Sequence, residues 1–191
     1  MDYSIIKNLE VFFISKEYAY KICIFGDAGV GKTSLARKYL EDTFDDDIKS
    51  TVGVNIGIKR FNIGDYNIML QIWDFAGEDR FKFYFPIYAN GSNGGIFMYD
   101  ITRENTINNV IDWLSIFNEK TQAKKFNIPI LLIGGKSDLD EKRVISIKEW
   151  KKLLNLYNFY DFMECSALTG QNVEDVFQKI TDKIMKIAGI F

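Results

Sequence analysis

Gly26-Asp27-Ala28-Gly29-Val30-Gly31-Lys32-Thr33 has the spacing G-x-x-x-x-G-K-[ST], at a point where a short apolar run gives way to a helical period. These residue types in this order suit a polyphosphate. The glycines let the backbone curl so that N–H groups point inward at a helix N-terminus, where the helix dipole favours negative charge. Lys32 would neutralise the β- and γ-phosphates, and Thr33 would place its hydroxyl on a Mg2+ ion. A plain glycine turn before a helix does not account for the Lys and Thr that follow.

Three further segments lie at the ends of β-rich runs. Asp74-Phe75-Ala76-Gly77 follows directly on a run ending at Trp73. An aspartate there can hold Mg2+ through water, while a backbone N–H at Gly77 reaches a terminal phosphate, a close approach that leaves no room for a side chain. Gly134-Gly135-Lys136-Ser137-Asp138 closes the apolar run 128–133. The Asp138 carboxylate can accept the N1–H and N2–H of guanine, two donors that adenine lacks together. Cys165-Ser166-Ala167 also ends a run, in position to offer a backbone N–H to guanine O6.

The elements that must position these segments alternate between short apolar runs and stretches of helical period, which predicts an α/β layer fold. Strands are expected at 20–25, 54–63, 66–73, 95–99, 128–133 and 162–165, and helices at 33–40, 104–124, 146–158 and 173–187. Gly64-Asp65 reads as a hairpin turn, making one antiparallel pair in an otherwise parallel six-stranded sheet with helices on both faces. Residues 1–19 form an N-terminal extension in which Ile5, Ile6, Leu9, Phe12 and Phe13 fit one helical face. With only Lys7 and Lys16 as cations against Asp2, Glu10 and Glu17, that face suits packing on the domain better than a membrane surface.

Composition narrows the function. With 191 residues, 47% of them apolar, and 2 prolines, the chain fits one domain with a real core. The balance of 24 basic against 26 acidic residues argues against nucleic acid as a partner. The absence of histidine excludes imidazole-based catalysis. Cys23 and Cys165 are too far apart for a metal motif and read as reduced thiols of a cytoplasmic protein.

Residues 20–188 resemble a Ras-superfamily small GTPase, most of all its Rab branch. Trp73-Asp74-Phe75-Ala76-Gly77-Glu78-Asp79-Arg80-Phe81 is similar to the pattern W-D-T-A-G-Q-E-R-F, and Ser50-Thr51-Val52-Gly53-Val54 to S-T-I-G-V. The resemblance implies the P-loop NTPase fold and slow hydrolysis of GTP to GDP with Mg2+, in a switch of the kind used in vesicle trafficking. It implies metal contacts from Thr33, Thr51 and Asp74, with Lys32, Thr51, Gly77 and Glu78 at the reacting phosphate. Nucleotide contacts are implied from Asp27, Ala28, Gly29, Val30, Gly31, Lys32, Thr33 and Ser34 in the loop and from Phe44, Thr51 and Gly77 in the switches. At the base they are implied from Lys136, Asp138, Leu139, Ser166, Ala167 and Leu168. Thr51 and Gly77 would let two switch segments respond to the γ-phosphate, and effector, exchange-factor and activating proteins would read 52–58, Trp73 and 81–88. A Rab-like protein would sit peripherally at a membrane, but the chain carries no C-terminal cysteine for a lipid.

The sequence departs from the pattern at positions with chemical consequences. Glu78 stands where a glutamine orients the attacking water, and its charge would face the phosphate, so intrinsic hydrolysis should be slow. The N-K-x-D motif reads Gly135-Lys136-Ser137-Asp138, without the amide that bonds guanine and ties this loop to the P-loop. That loss should cost about 1 to 3 kcal/mol, roughly ten- to a hundredfold in affinity, and speed nucleotide exchange. A binding module that holds guanine nucleotide without turnover is the alternative these two positions support. Phe75 adds bulk beneath the second switch. For Phe81, Phe83, Tyr84 and Phe85, core packing and partner contact are equally good readings.

Overall fold

A computed structural model describes residues 16–44, 51–121, 123 and 127–190. The apolar positions of the segment before residue 16, and Ser50, lie outside the described residues.

The central strands are apolar at both faces because helices cover both. Every residue of β4 (Gly94–Asp100) and of β5 (Ile130–Gly135) is buried, which is how a strand in the middle of a parallel sheet must read. Together with β1 (Lys16–Phe25), β2 (Val54–Ile63), β3 (Tyr66–Phe75) and β6 (Asp161–Cys165), they form a six-stranded sheet of order β2-β3-β1-β4-β5-β6. Only the β2–β3 pair is antiparallel, the other four pairings being parallel. The expected hairpin and the antiparallel edge strand are both present.

Alternation along each strand divides the core in two. Ile22 and Ile24, Ile96 and Met98, and Leu131 and Ile133 pack with helices α1 (Lys32–Glu41) and α7 (Val173–Ile187) on one face. Cys23 and Phe25, Phe97 and Tyr99, and Leu132 face the other side, against α3 (Phe85–Ala89) and α5 (Val110–Thr121). The remaining helices are α2 (Asp79–Lys82), α4 (Asn105–Asn108) and α6 (Ile147–Tyr157), and a 3-10 turn spans Ser137–Lys142.

Several boundaries differ from the sequence reading. β1 starts at Lys16, four residues before the expected strand, because residues 16–19 pair in register with 66–69 of β3. β3 runs on through Phe75 and β5 through Gly135, so Asp74 and Gly135 are strand residues and not loop residues. The single helix expected over 104–124 breaks at Asn109 into α4 and α5.

The chain moves from β1 outward to β3 and then crosses back to place β4 on the other side of β1. This reversal opens a crevice at the carboxyl ends of β1 and β4, the place where open α/β sheets bind ligands.

Candidate functional site

The loop after β1 curls over the end of β4. A Cβ on Gly26, whose φ is 136°, would run into the Met98 carbonyl oxygen, so only glycine fits. Lys32, 5% exposed, donates to the carbonyls of Gly26 at 2.9 Å and Asp27 at 2.7 Å. Burial pushes its ammonium down to about 8, although Asp74 and Asp27 pull the other way. A buried cation wrapped in its own loop is a strong site for an anion that would replace those carbonyls.

Beside it, three oxygen donors converge. Thr33 Oγ1 donates to Asp74 Oδ2 at 2.6 Å, and the Thr51 hydroxyl lies 2.7 Å from Thr33 Oγ1. Because the Thr33 proton is committed to Asp74, Thr51 is the donor of that second bond. Asp74 is 2% exposed, and its Oδ1 is buried without a hydrogen-bond partner. Burial raises the Asp74 carboxyl pKa; the bond from Thr33 and the charge of Lys32 oppose that rise without cancelling it. Two hydroxyls and one carboxylate with an unused oxygen fit a hard divalent cation that takes its other ligands from phosphate and water. Among the described residues, no group of three or more His, Cys, Asp or Glu side chains could hold a metal unaided.

The segments around Gly53 and Ala76 meet beside this point. Ala76 N–H donates to the Gly53 carbonyl at 2.9 Å, joining the segment after β3 to the one before β2. A Cβ on Gly77 would overlap the backbone of Asp27 and Ala28, so only glycine fits where this segment packs on the loop after β1. Glu78 turns its carboxylate to Arg80 Nε at 2.7 Å.

At the other end, Gly31, Ser34, Phe44, Lys136, Asp138, Leu139, Ala167 and Leu168 line one mostly apolar cavity of about 260 Å³. The Ser166 hydroxyl donates to Asp138 Oδ1 at 2.5 Å and accepts the Thr169 N–H at 3.1 Å. Two segments far apart in sequence thus fix the Asp138 carboxylate. Two of the loop residues named from sequence have side chains committed elsewhere. Val30 is fully buried in the core, and the Asp27 carboxylate accepts from Asn109 Nδ2 at 2.7 Å and Trp113 Nε1 at 2.9 Å.

Three residues of the site were not read from the sequence. Asp100, fully buried at the end of β4, accepts from Lys136 Nζ at 2.7 Å and Arg103 Nε at 3.0 Å. Arg103 in turn donates to the Ala28 carbonyl at 2.9 Å. This chain of charges links the base end to the phosphate loop. Met98, the third, also lines the base cavity. The available signal was position: Asp100 ends an apolar strand with a charge, and two cations lie close to it in the folded chain.

A glycine loop with a buried lysine at the switch point, a cluster of hydroxyl and carboxylate oxygens beside it and an apolar cavity at its far end fit the class of P-loop nucleotide-binding proteins. Residues 21–186 match the Ras family, and the chain belongs to that family of small GTPases. It is 37% identical over 169 residues to the Ras-related protein Rab-4A of Rattus norvegicus, covering 88% of this chain and 76% of the relative. It is 35% identical over 172 residues to the Ras-related protein RABA1g of Arabidopsis thaliana, covering 90% and 77%. Identity to the Ras-related protein Rab-3A of Homo sapiens is 38% over 171 residues, covering 88% and 74%.

Proposed function

We propose that this chain is a Rab-like GTP/GDP switch that hydrolyses GTP slowly with Mg2+ and presents effectors with a surface built from its two switch segments. The observation that carries this reading is the junction of Thr33, Thr51 and Asp74, with distances of 2.6 and 2.7 Å. It joins the phosphate loop, the segment before β2 and the end of β3 at one point. A ligand there would be sensed by both switches at once. Mg2+, held by Thr33, Thr51 and the Asp74 side, would neutralise phosphate charge. Lys32 would take the β- and γ-oxygens and give up its two carbonyl partners.

The outer surface of the switches supports partner binding. Val52 is 75% exposed and Phe83 81%, with Ile56, Ile58 and Ile87 also exposed. Single exposed apolar residues are ordinary, but this group lies on or directly beside the two segments that the site would order. In the aromatic segment the full burial of Phe85 supports core packing, and the exposure of Phe83 and Tyr84 supports partner contact.

The pairing of Glu78 with Arg80 favours slow turnover. Its carboxylate is neutralised by a neighbour on α2 and offers no donor to an attacking water. A binding module without turnover has the same feature in its favour. Single-turnover hydrolysis of GTP with Mg2+, resolved by chromatography over hours, separates the two. GDP formation above the protein-free rate, lost in Lys32→Ala and accelerated in Glu78→Gln, is the expected result. GTP that stays bound and intact would establish the binding module, and a slower Glu78→Gln would show that the carboxylate assists.

A further inference from the structure

Two unusual positions at the base end of the site touch each other. A Cβ on Gly135 would run into the terminal methyl of Met98 and come within 2.8 Å of the Val30 carbonyl. The same methyl would stand 3.3 Å from a Cβ on Gly31. Met98 is 1% exposed and reaches the base cavity from β4, beneath the phosphate loop. The position that the first side-chain carbon would take at 135 is therefore filled by a thioether methyl.

The orientation of a guanine nucleotide in this cavity follows from its two ends. Lys32 and Thr33 take the phosphates, and Asp138 takes the N1–H and N2–H edge. In the anti conformation the N7–C8 edge of a purine lies on the side of its 5′-phosphates, which here is the side of Gly31, Met98 and Gly135. The guanine N7 is an acceptor and needs a donor to be read. Gly135 has no side chain, and methionine sulfur is only a weak acceptor. Lys136, the cation that lines the cavity, is held on Asp100 at 2.7 Å.

We infer that this pocket selects guanine through its N1, N2 and O6 groups alone and seats the N7 edge on the Met98 methyl. It therefore accepts guanine nucleotides in which N7 is replaced by C–H as readily as the natural ones. The inference rests on the guanine-nucleotide reading of this site and adds which edge of the base goes unread. Met98 is a specificity-determining residue on this account, since it offers an apolar surface where a nitrogen acceptor gains nothing over a C–H.

The test is displacement of a fluorescent methylanthraniloyl-GDP from the full chain with Mg2+, using GDP, 7-deaza-GDP and ADP as competitors. GDP and 7-deaza-GDP should compete within about twofold of each other, and ADP far more weakly. In the double variant Met98→Val with Gly135→Asn, which clears the methyl and installs an amide, 7-deaza-GDP should fall behind GDP by about three- to tenfold, the worth of one neutral hydrogen bond. A preference of the unaltered chain for GDP of fivefold or more would overturn the inference, because a polar group would then be reading N7. Should the double variant fail to fold, as judged by its thermal unfolding, the ratio in the unaltered chain still decides. Failure of the fluorescent probe to bind, or equal displacement by ADP, would remove the guanine reading itself and this inference with it. A GDP preference with ADP excluded removes the inference alone.

Discussion

At the scale of single residues, Asp100 does more than its position at a strand end announced. Burial raises the cost of its charge, yet the bonds from Lys136 and Thr102 outweigh that cost and hold its carboxyl below the usual range. A depressed carboxyl contributes stability that is present above its unfolded value, near 3.9, and is lost as the pH falls through its folded value. Asp100→Asn should accordingly flatten the loss of stability below about pH 4, measured by denaturant unfolding across pH. The same variant releases Lys136 and Arg103, the two links between base loop and phosphate loop, and should speed GDP release about three- to tenfold, the worth of one hydrogen bond. An unchanged off-rate measured by fluorescence would show that the charge chain does not couple the two ends. The sequence showed the three charges but not their meeting, because Asp100 and Lys136 come together only through the β4–β5 pairing.

Among the elements, the end of β3 is set by an aromatic cluster that pattern reading could not assemble. Phe75 is fully buried, with ring centroids 4.8 Å from Phe85 and 6.0 Å from Tyr88. Phe85 in turn packs on Phe25 at 5.2 Å and on Trp113 at 5.3 Å. The bulk at position 75 thus anchors α3, and with it the far end of the second switch, to the core. Truncation, Phe75→Ala, should cost about 3 to 5 kcal/mol of stability, as large aromatic deletions in a core do. Chemical denaturation would measure it, and a loss under 1 kcal/mol would mean that the cluster repacks around the gap. The extension of β3 past Trp73 has a related cause. Asn55 and Val54 of β2 continue to pair with Asp74 and Phe75, so the strand holds Asp74 rigidly where a loop would leave it free. An isolated Asp-x-x-Gly signal marks a turn, and partner strands decide where that turn begins.

For the molecule as a whole, the site is assembled from segments far apart in the chain and joined by the sheet and a few hydrogen bonds, and a ligand that bridges them should stabilise the folded state. A ligand at a hundred times its dissociation constant adds about 2.7 kcal/mol. In a domain of this size, that raises Tm by roughly 5 to 10 °C. GDP with Mg2+ should give such a shift and ADP with Mg2+ should not; equal shifts would contradict a base pocket built around Asp138. The difference in GDP concentration needed for that shift between the unaltered chain and the variant Met98→Val with Gly135→Asn reads out the cost of Gly135.

The P-loop pattern was legible in the amino-acid sequence itself, since Gly26, Lys32 and Thr33 lie in the strand-to-helix turn they themselves form. The alternation of strands and helices and the hairpin at Gly64-Asp65 were equally local, and so equally readable. Contacts between distant segments required the tertiary structure: Thr51 on Thr33, Ser166 on Asp138, Arg103 on the Ala28 carbonyl, and the Met98 methyl against Gly135. The physical reason is that a motif is a property of neighbouring residues along the chain. What fills the space beside it is decided by whichever strand the sheet brings next to it.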